Sequence, residues 1–69
     1  MKTNMNKLHG KMAENGITQE ELASRLGIDY TTFYRKMKAD GLAFTVGQMH
    51  QMVDILSMTP EEATQIFLQ

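Results

Sequence analysis

Cysteine is absent from this chain of 69 residues, so disulfides and cysteine-based zinc or redox sites are excluded. There is no glycine-rich phosphate loop, and His9 has no partner at a metal-ligand spacing. Carboxylates pair up only at Glu20–Glu21 and Glu61–Glu62, and both pairs already have a place in the first turn of a helix. No catalytic residue, metal site or cofactor is therefore expected, and an enzyme is not. No apolar run approaches the roughly 18 residues that span a bilayer. No signal-peptide pattern precedes Lys7 either, so a cytoplasmic protein without a membrane partner is expected.

Lys and Arg are missing from the whole second half. All seven bases lie in residues 1–38, against four acids there, a formal +3; residues 39–69 carry four acids and no base, a formal −4. The net charge of −1 argues mildly against a polyanionic partner, but the distribution argues for one, with the basic half turned toward it and the acidic half away. A chain this short buries only about 60% of its unfolded surface. One domain over 1–69 is expected.

The stretch from Thr18 to Lys38, TQEELASRLGIDYTTFYRKMK, parses as two short helices and a tight turn. Thr18 is a good N-cap with Glu21 three residues on, a capping box, and Ile17 with Leu22 forms a hydrophobic staple. Leu22, Ala23 and Leu26 share one face, and Gly27 supplies the left-handed turn that ends the helix. Asp29 caps a second helix whose buried stripe is Phe33 and Met37. At 100° per residue the opposite side carries Thr31, Arg35 and Lys38, flanked by Thr32 and Tyr34. Apart from Asp29 that side has no carboxylate. It suits a polyanion with readable base edges.

Around this motif the pattern predicts three more helices. The first runs from Thr3 or Asn4 to Glu14, with Met5, Leu8 and Met12 inside and Asn15–Gly16 as a left-handed C-cap pair. Lys7 and Lys11 fall on its solvated side, as a phosphate contact or a solubilising face. His9 is placed at the surface or helix rim. Ala39, Asp40 and Gly41 signal a turn, and Leu42, Ala43 and Phe44 lead to Thr45. Thr45 and Gln48 repeat the capping pattern, and Val46, Met49, Val53 and Leu56, flanked by Met52, form the inward stripe of a core helix. Thr59, Pro60, Glu61 and Glu62 open the last helix, in which Ile66 closes the core. Phe67 and Leu68 are adjacent and cannot share one narrow inward face, so one is left to the core edge or to a partner. The seven methionines read as core filler or as an adaptable groove.

Gln19, Ala23, Gly27 and Phe33, the first three within the string TQEELASRLGI, resemble the helix-turn-helix of the phage Cro and repressor proteins, the Xre type. There a glutamine opens the first helix, a small residue admits the second, a glycine turns the chain and an apolar residue anchors the recognition helix. Thr45 to Met58 resembles the family's fourth helix. One position departs from the pattern: Lys36 stands three after the anchor, where an apolar residue is usual, with Met37 taking over the packing and the Lys36 ammonium extending outward.

The resemblance implies an all-α, compact five-helix lambda-repressor-like domain, with motif 18–38 and a recognition helix at about 29–38. It implies a sequence-specific regulator that reads an operator in double-stranded DNA through the major groove, a Cro-like repressor of a phage or prophage. Tyr30, Thr31, Tyr34 and Arg35 would be its base-reading residues, and Thr18, Gln19, Lys36, Lys38 and Thr45 its phosphate contacts. Two copies would read half-sites about 34 to 36 Å apart, at the nucleoid of a bacterial or phage-infected cell. The alternative is an antirepressor or antitoxin, a protein-interaction module on the same fold that grips its partner through the acidic C-terminal half.

Overall fold

The computed structural model describes residues 3–40 and 43–68. Five helices follow one another: α1 (Met5–Glu14), α2 (Gln19–Leu26), α3 (Tyr30–Lys38), α4 (Val46–Ile55) and α5 (Pro60–Phe67). There is no strand among the described residues. Every helix begins at a side chain that accepts a first-turn amide: Asn4, Thr18, Asp29, Thr45 and Thr59. At Thr45–Gln48 and Thr59–Glu62 the exchange is reciprocal, a full capping box. At Thr18 only half of the expected box forms. The hydroxyl accepts the Glu21 amide at 3.1 Å, but the Glu21 carboxylate turns along the helix to Arg25 at 3.0 Å. A charged partner one turn away outcompetes a backbone amide.

Three helices end alike. Ile17, Ile28 and Met58 donate their amides to the carbonyls of Met12, Ala23 and Val53, and Gly16, Gly27 and Ser57 just before them take positive φ. Only Gly16 of the expected Asn15–Gly16 pair is left-handed, because Asn15 keeps a helical φ of −90°. The Asn15 carboxamide instead donates to the carbonyls of Lys11 at 2.8 Å and Leu56 at 2.9 Å, joining the ends of α1 and α4. The turn after α3 uses Asp40 at φ +57°. Gly41 and Leu42, the rest of that expected turn and its continuation, lie outside the described residues.

Leu8, Leu22, Phe33, Met52, Leu56 and Ile66 are fully buried and make the centre of the core. The Phe33 ring stands 5.7 Å from that of Phe44, a tilted pair linking α3 to the entry of α4. In α4 the inward stripe differs from the expected one. Met52 and Leu56 are buried, Met49 and Val53 are half-buried, and Val46 is 68% exposed. The expected stripe is one of two apolar stripes that overlap on this helix; packing against α2 selects the one centred on Met52.

Lys11 does not lie on a solvated side. Its side chain is 10% exposed, and its ammonium sits 3.1 Å from Glu62 and 3.3 Å from Glu14. Lys7 likewise donates to the Gln65 side chain at 3.0 Å. Both bases tie α1 to α5, Lys7 from an exposed position and Lys11 from a buried one, and the Lys11–Glu62 pair makes part of the charge asymmetry internal complementarity between the two halves.

The Lys11–Glu62 pair makes stability pH-dependent with a definite sign. The Thr59 amide first, and then Lys11, hold the Glu62 carboxyl below the usual carboxylate range. Glu62 in turn holds Lys11 above the usual lysine range. Glu62 therefore stabilises the fold above its unfolded pKa, and that contribution is lost as pH falls through the lowered folded value. Lys11 contributes fully below its unfolded pKa, and loses that contribution as pH rises through the raised folded value. Glu62→Gln keeps the capping geometry but removes the charge. It is expected to be less stable than the wild type at neutral pH and to converge with it below about pH 4. Urea melts across pH check this, and parallel curves would contradict it.

Candidate nucleic-acid interface

The rotation of α3 is set by Phe33 and Met37, 0% and 7% exposed, which hold one side of a nine-residue helix in the core. Its other side is consequently presented to solvent. Thr31 and Arg35 point directly away from the core, and Thr32, Tyr34 and Lys38 are exposed beside them. The helix starts cleanly because Asp29 accepts the Thr31 amide at 3.0 Å. Gly27, at φ +73°, makes the turn that sets α3 against α2.

Tyr30, Tyr34 and Lys38 form a ladder at successive i, i+4 positions along one edge. The two tyrosine rings are 6.2 Å apart, and the Lys38 ammonium sits 5.5 Å from the centre of the Tyr34 ring. Both tyrosines are 44% exposed, so both rings lie at the surface. Stacking and cation–π attraction restrict these side chains before any ligand arrives. Arg35 differs: its carbonyl accepts the Ala39 amide, but among the described residues its guanidinium makes no hydrogen bond and no ion pair. A guanidinium with all its donors open can take a guanine edge or a phosphate bidentately.

Lys36 does not extend outward as expected. Its ammonium donates to the Ala43 carbonyl at 2.7 Å and lies 6.0 Å from the centre of the Phe44 ring. The carbonyl and the ring face together satisfy a cation at the rim, so it folds over the entry to α4 instead of entering solvent. Two of its three ammonium donors remain.

The helix N-termini contribute amides. Thr18 and Thr45 accept first-turn amides at 3.1 and 3.0 Å, which leaves each hydroxyl hydrogen available to donate. The opening amides of α4, at Val46 and Gly47, have no intrahelical partner by geometry, which favours an anion. Gln19, half-buried at the start of α2, lines a cleft with Tyr34, Met37 and Lys38. One base-reading candidate and two phosphate candidates are thus brought to one place. The fifth wall of that cleft is His9, from α1. Sequence reasoning puts His9 at the surface but gives it no role. Because it lies nine residues before the motif, no local pattern connects the two.

No group of His, Asp and Glu able to hold a metal ion occurs among the described residues. No described helix is long and apolar enough to cross a membrane.

Comparison with known proteins agrees with this geometry. A search of curated proteins and of solved structures gave no match. The family model for the Cro/C1-type HTH DNA-binding domain matches residues 7–66. That span contains α2, α3 and α4 whole and nearly all of α1 and α5. The chain, with its glycine turn, its anchored α3 and that α3's cationic outer face, belongs to the family of Cro/C1-type HTH DNA-binding domains.

Proposed function

We propose that this DNA-binding protein is a sequence-specific operator-binding regulator, a Cro-like repressor of phage or prophage kind, acting in the cytoplasm as one domain over residues 1–69. The observation that carries the reading is the outer face of α3, where Thr31, Tyr34, Arg35 and Lys38 are exposed together without a carboxylate. In this reading α3 lies in the major groove. Tyr30, Thr31, Tyr34 and Arg35 read base edges, with Arg35 directed to guanine and Thr31 to a thymine methyl. Thr18, Gln19, Lys36, Lys38 and Thr45 hold phosphates and set the register. The chain catalyses no reaction.

NMR titration of the labelled protein with a short mixed-sequence duplex tests the assignment. Amide shifts are expected to change along α3 and at Thr18, Gln19 and Thr45. Changes confined to α4 and α5 would contradict it.

The same reading pairs two copies through α4 and α5. Val46 and Leu68 are exposed at 68% and 58%, and with Met49, Val53, Ala63 and Phe67 they line an apolar groove. Leu68→Lys is expected to yield monomer in analytical ultracentrifugation while leaving the melting curve nearly unchanged, since surface substitutions stay within about 0.5 kcal/mol. An unchanged sedimentation profile in a protein that does dimerise would place the contact elsewhere. The groove also favours a second reading, a protein-interaction module of antirepressor or antitoxin type. That reading predicts little DNA affinity at physiological salt and a tight complex with a repressor or toxin.

A further inference from the structure

We infer that His9 completes a DNA-phosphate subsite with Gln19 and Lys38, bringing α1 into the contact with the backbone. The inference rests on the DNA-binding reading above and adds a residue from outside the helix-turn-helix. The cleft is built by three helices: His9 from α1, Gln19 from the first turn of α2, and Tyr34, Met37 and Lys38 from α3. Met37, 7% exposed, is its apolar floor. Around that floor stand an imidazole, a carboxamide, a phenol and an ammonium. All four can donate a hydrogen bond, and no carboxylate lines the cleft. Lys38 is already held over the Tyr34 ring, so its charge faces a fixed place.

The charges around His9 give the site a readable signature. From α2 it is faced by neutral Gln19, and from α3 by Tyr34 and the Lys38 cation. On α1 itself, the residues three and four positions away, Met5, Asn6, Met12 and Ala13, carry no charge. Glu21, the second acid of α2, is engaged by Arg25, and Glu20 is exposed outside the cleft. Among the residues that line the cleft with His9, Lys38 is thus the one that carries a formal charge. A phosphate seated beside an imidazole favours its charged form. Histidine is the side chain whose charge changes between about pH 5 and 8, so a phosphate contact made by an imidazolium shows as tighter binding at the lower pH.

The test is fluorescence anisotropy of a short mixed-sequence duplex with wild type, His9→Gln, His50→Gln and Lys38→Met, at about pH 6 and about pH 8, each over a range of salt. Wild type and His50→Gln are expected to bind several-fold more tightly at the lower pH, within the roughly tenfold per pH unit that one proton allows. His9→Gln is expected to lose that dependence, and at the lower pH its log–log salt slope is expected to be shallower by about 0.9, one phosphate. Lys38→Met should also reduce the slope. His9 is exposed, so His9→Gln is expected to melt like the wild type, which separates a lost contact from a lost fold. If His9→Gln binds with the wild-type slope and pH dependence, the inference falls and the DNA reading stands. If the wild type binds no duplex at either pH, both fall.

Discussion

Phe33→Ala is expected to destabilise the protein by about 3 to 5 kcal/mol, the cost of emptying a fully buried aromatic site. A domain of this size has roughly 3 to 10 kcal/mol of total stability, so the variant loses much or all of its folded population near body temperature. The ring is 0% exposed, packs 5.7 Å from that of Phe44 and lies where α2, α3 and the entry of α4 meet. Removing it leaves a cavity beneath the helix that carries the binding face, so DNA affinity should fall with stability. Phe33→Leu should cost less, about 1.5 kcal/mol or below, because most of the volume is kept. Circular dichroism melts measure both. A loss under about 1 kcal/mol for the alanine variant would mean that the site collapses around the gap and that Phe33 does not anchor α3.

Arg35→Ala is expected to do the opposite: to leave folding alone and weaken recognition. Its guanidinium has no partner among the described residues, so truncation removes no internal contact and the melt should stay within about 0.5 kcal/mol of wild type. Binding to the preferred sequence should fall by about 1 to 3 kcal/mol, roughly 5- to 150-fold, with preference relaxed at one base position. Lys38→Ala should instead weaken all sequences alike and reduce the salt slope by about 0.9. An Arg35 variant that binds less tightly but with unchanged preference would make Arg35 a phosphate contact.

These two residues also show how much of the fold is legible in the chain itself. Phe33 and Met37 are four apart and apolar, and their spacing alone sets the rotation of α3, so the exposure of Thr31, Tyr34 and Arg35 follows from the same periodicity. Four of the five N-caps, Thr18, Asp29, Thr45 and Thr59, are legible for a similar reason, since a cap is local chemistry completed within three residues, whereas α1 offers both Thr3 and Asn4 as a start. What is not legible is non-local. Lys11 meets Glu62 across 51 positions and Asn15 meets the Leu56 carbonyl across 41, and nothing in the neighbourhood of either residue marks its partner. Sequence pattern misplaces Val46 because α4 carries two overlapping apolar stripes, and periodicity cannot say which of them faces α2. It misassigns Glu21 because two local partners, Thr18 and Arg25, compete for one carboxylate.

The candidate interface divides along the same line. The members contributed by α3 can be named from one helical wheel. Lys36 has the right residue type and position on that wheel, yet its ammonium is drawn to the Ala43 carbonyl by a chain segment the wheel does not contain. His9 reaches the cleft beside Gln19 and Lys38 only because α1 packs back onto the motif. Residue type can be read at each of these positions, but convergence belongs to the packing.

The most direct test is selection from random-sequence duplexes with the purified protein, sequenced and repeated at two salt concentrations. The account predicts an enriched, pseudo-palindromic motif whose halves are about one helical turn apart, with affinity falling by about 0.9 log units per log unit of salt for each phosphate held. Weak binding without a motif would contradict operator recognition and turn attention to the apolar groove between α4 and α5 as the working surface.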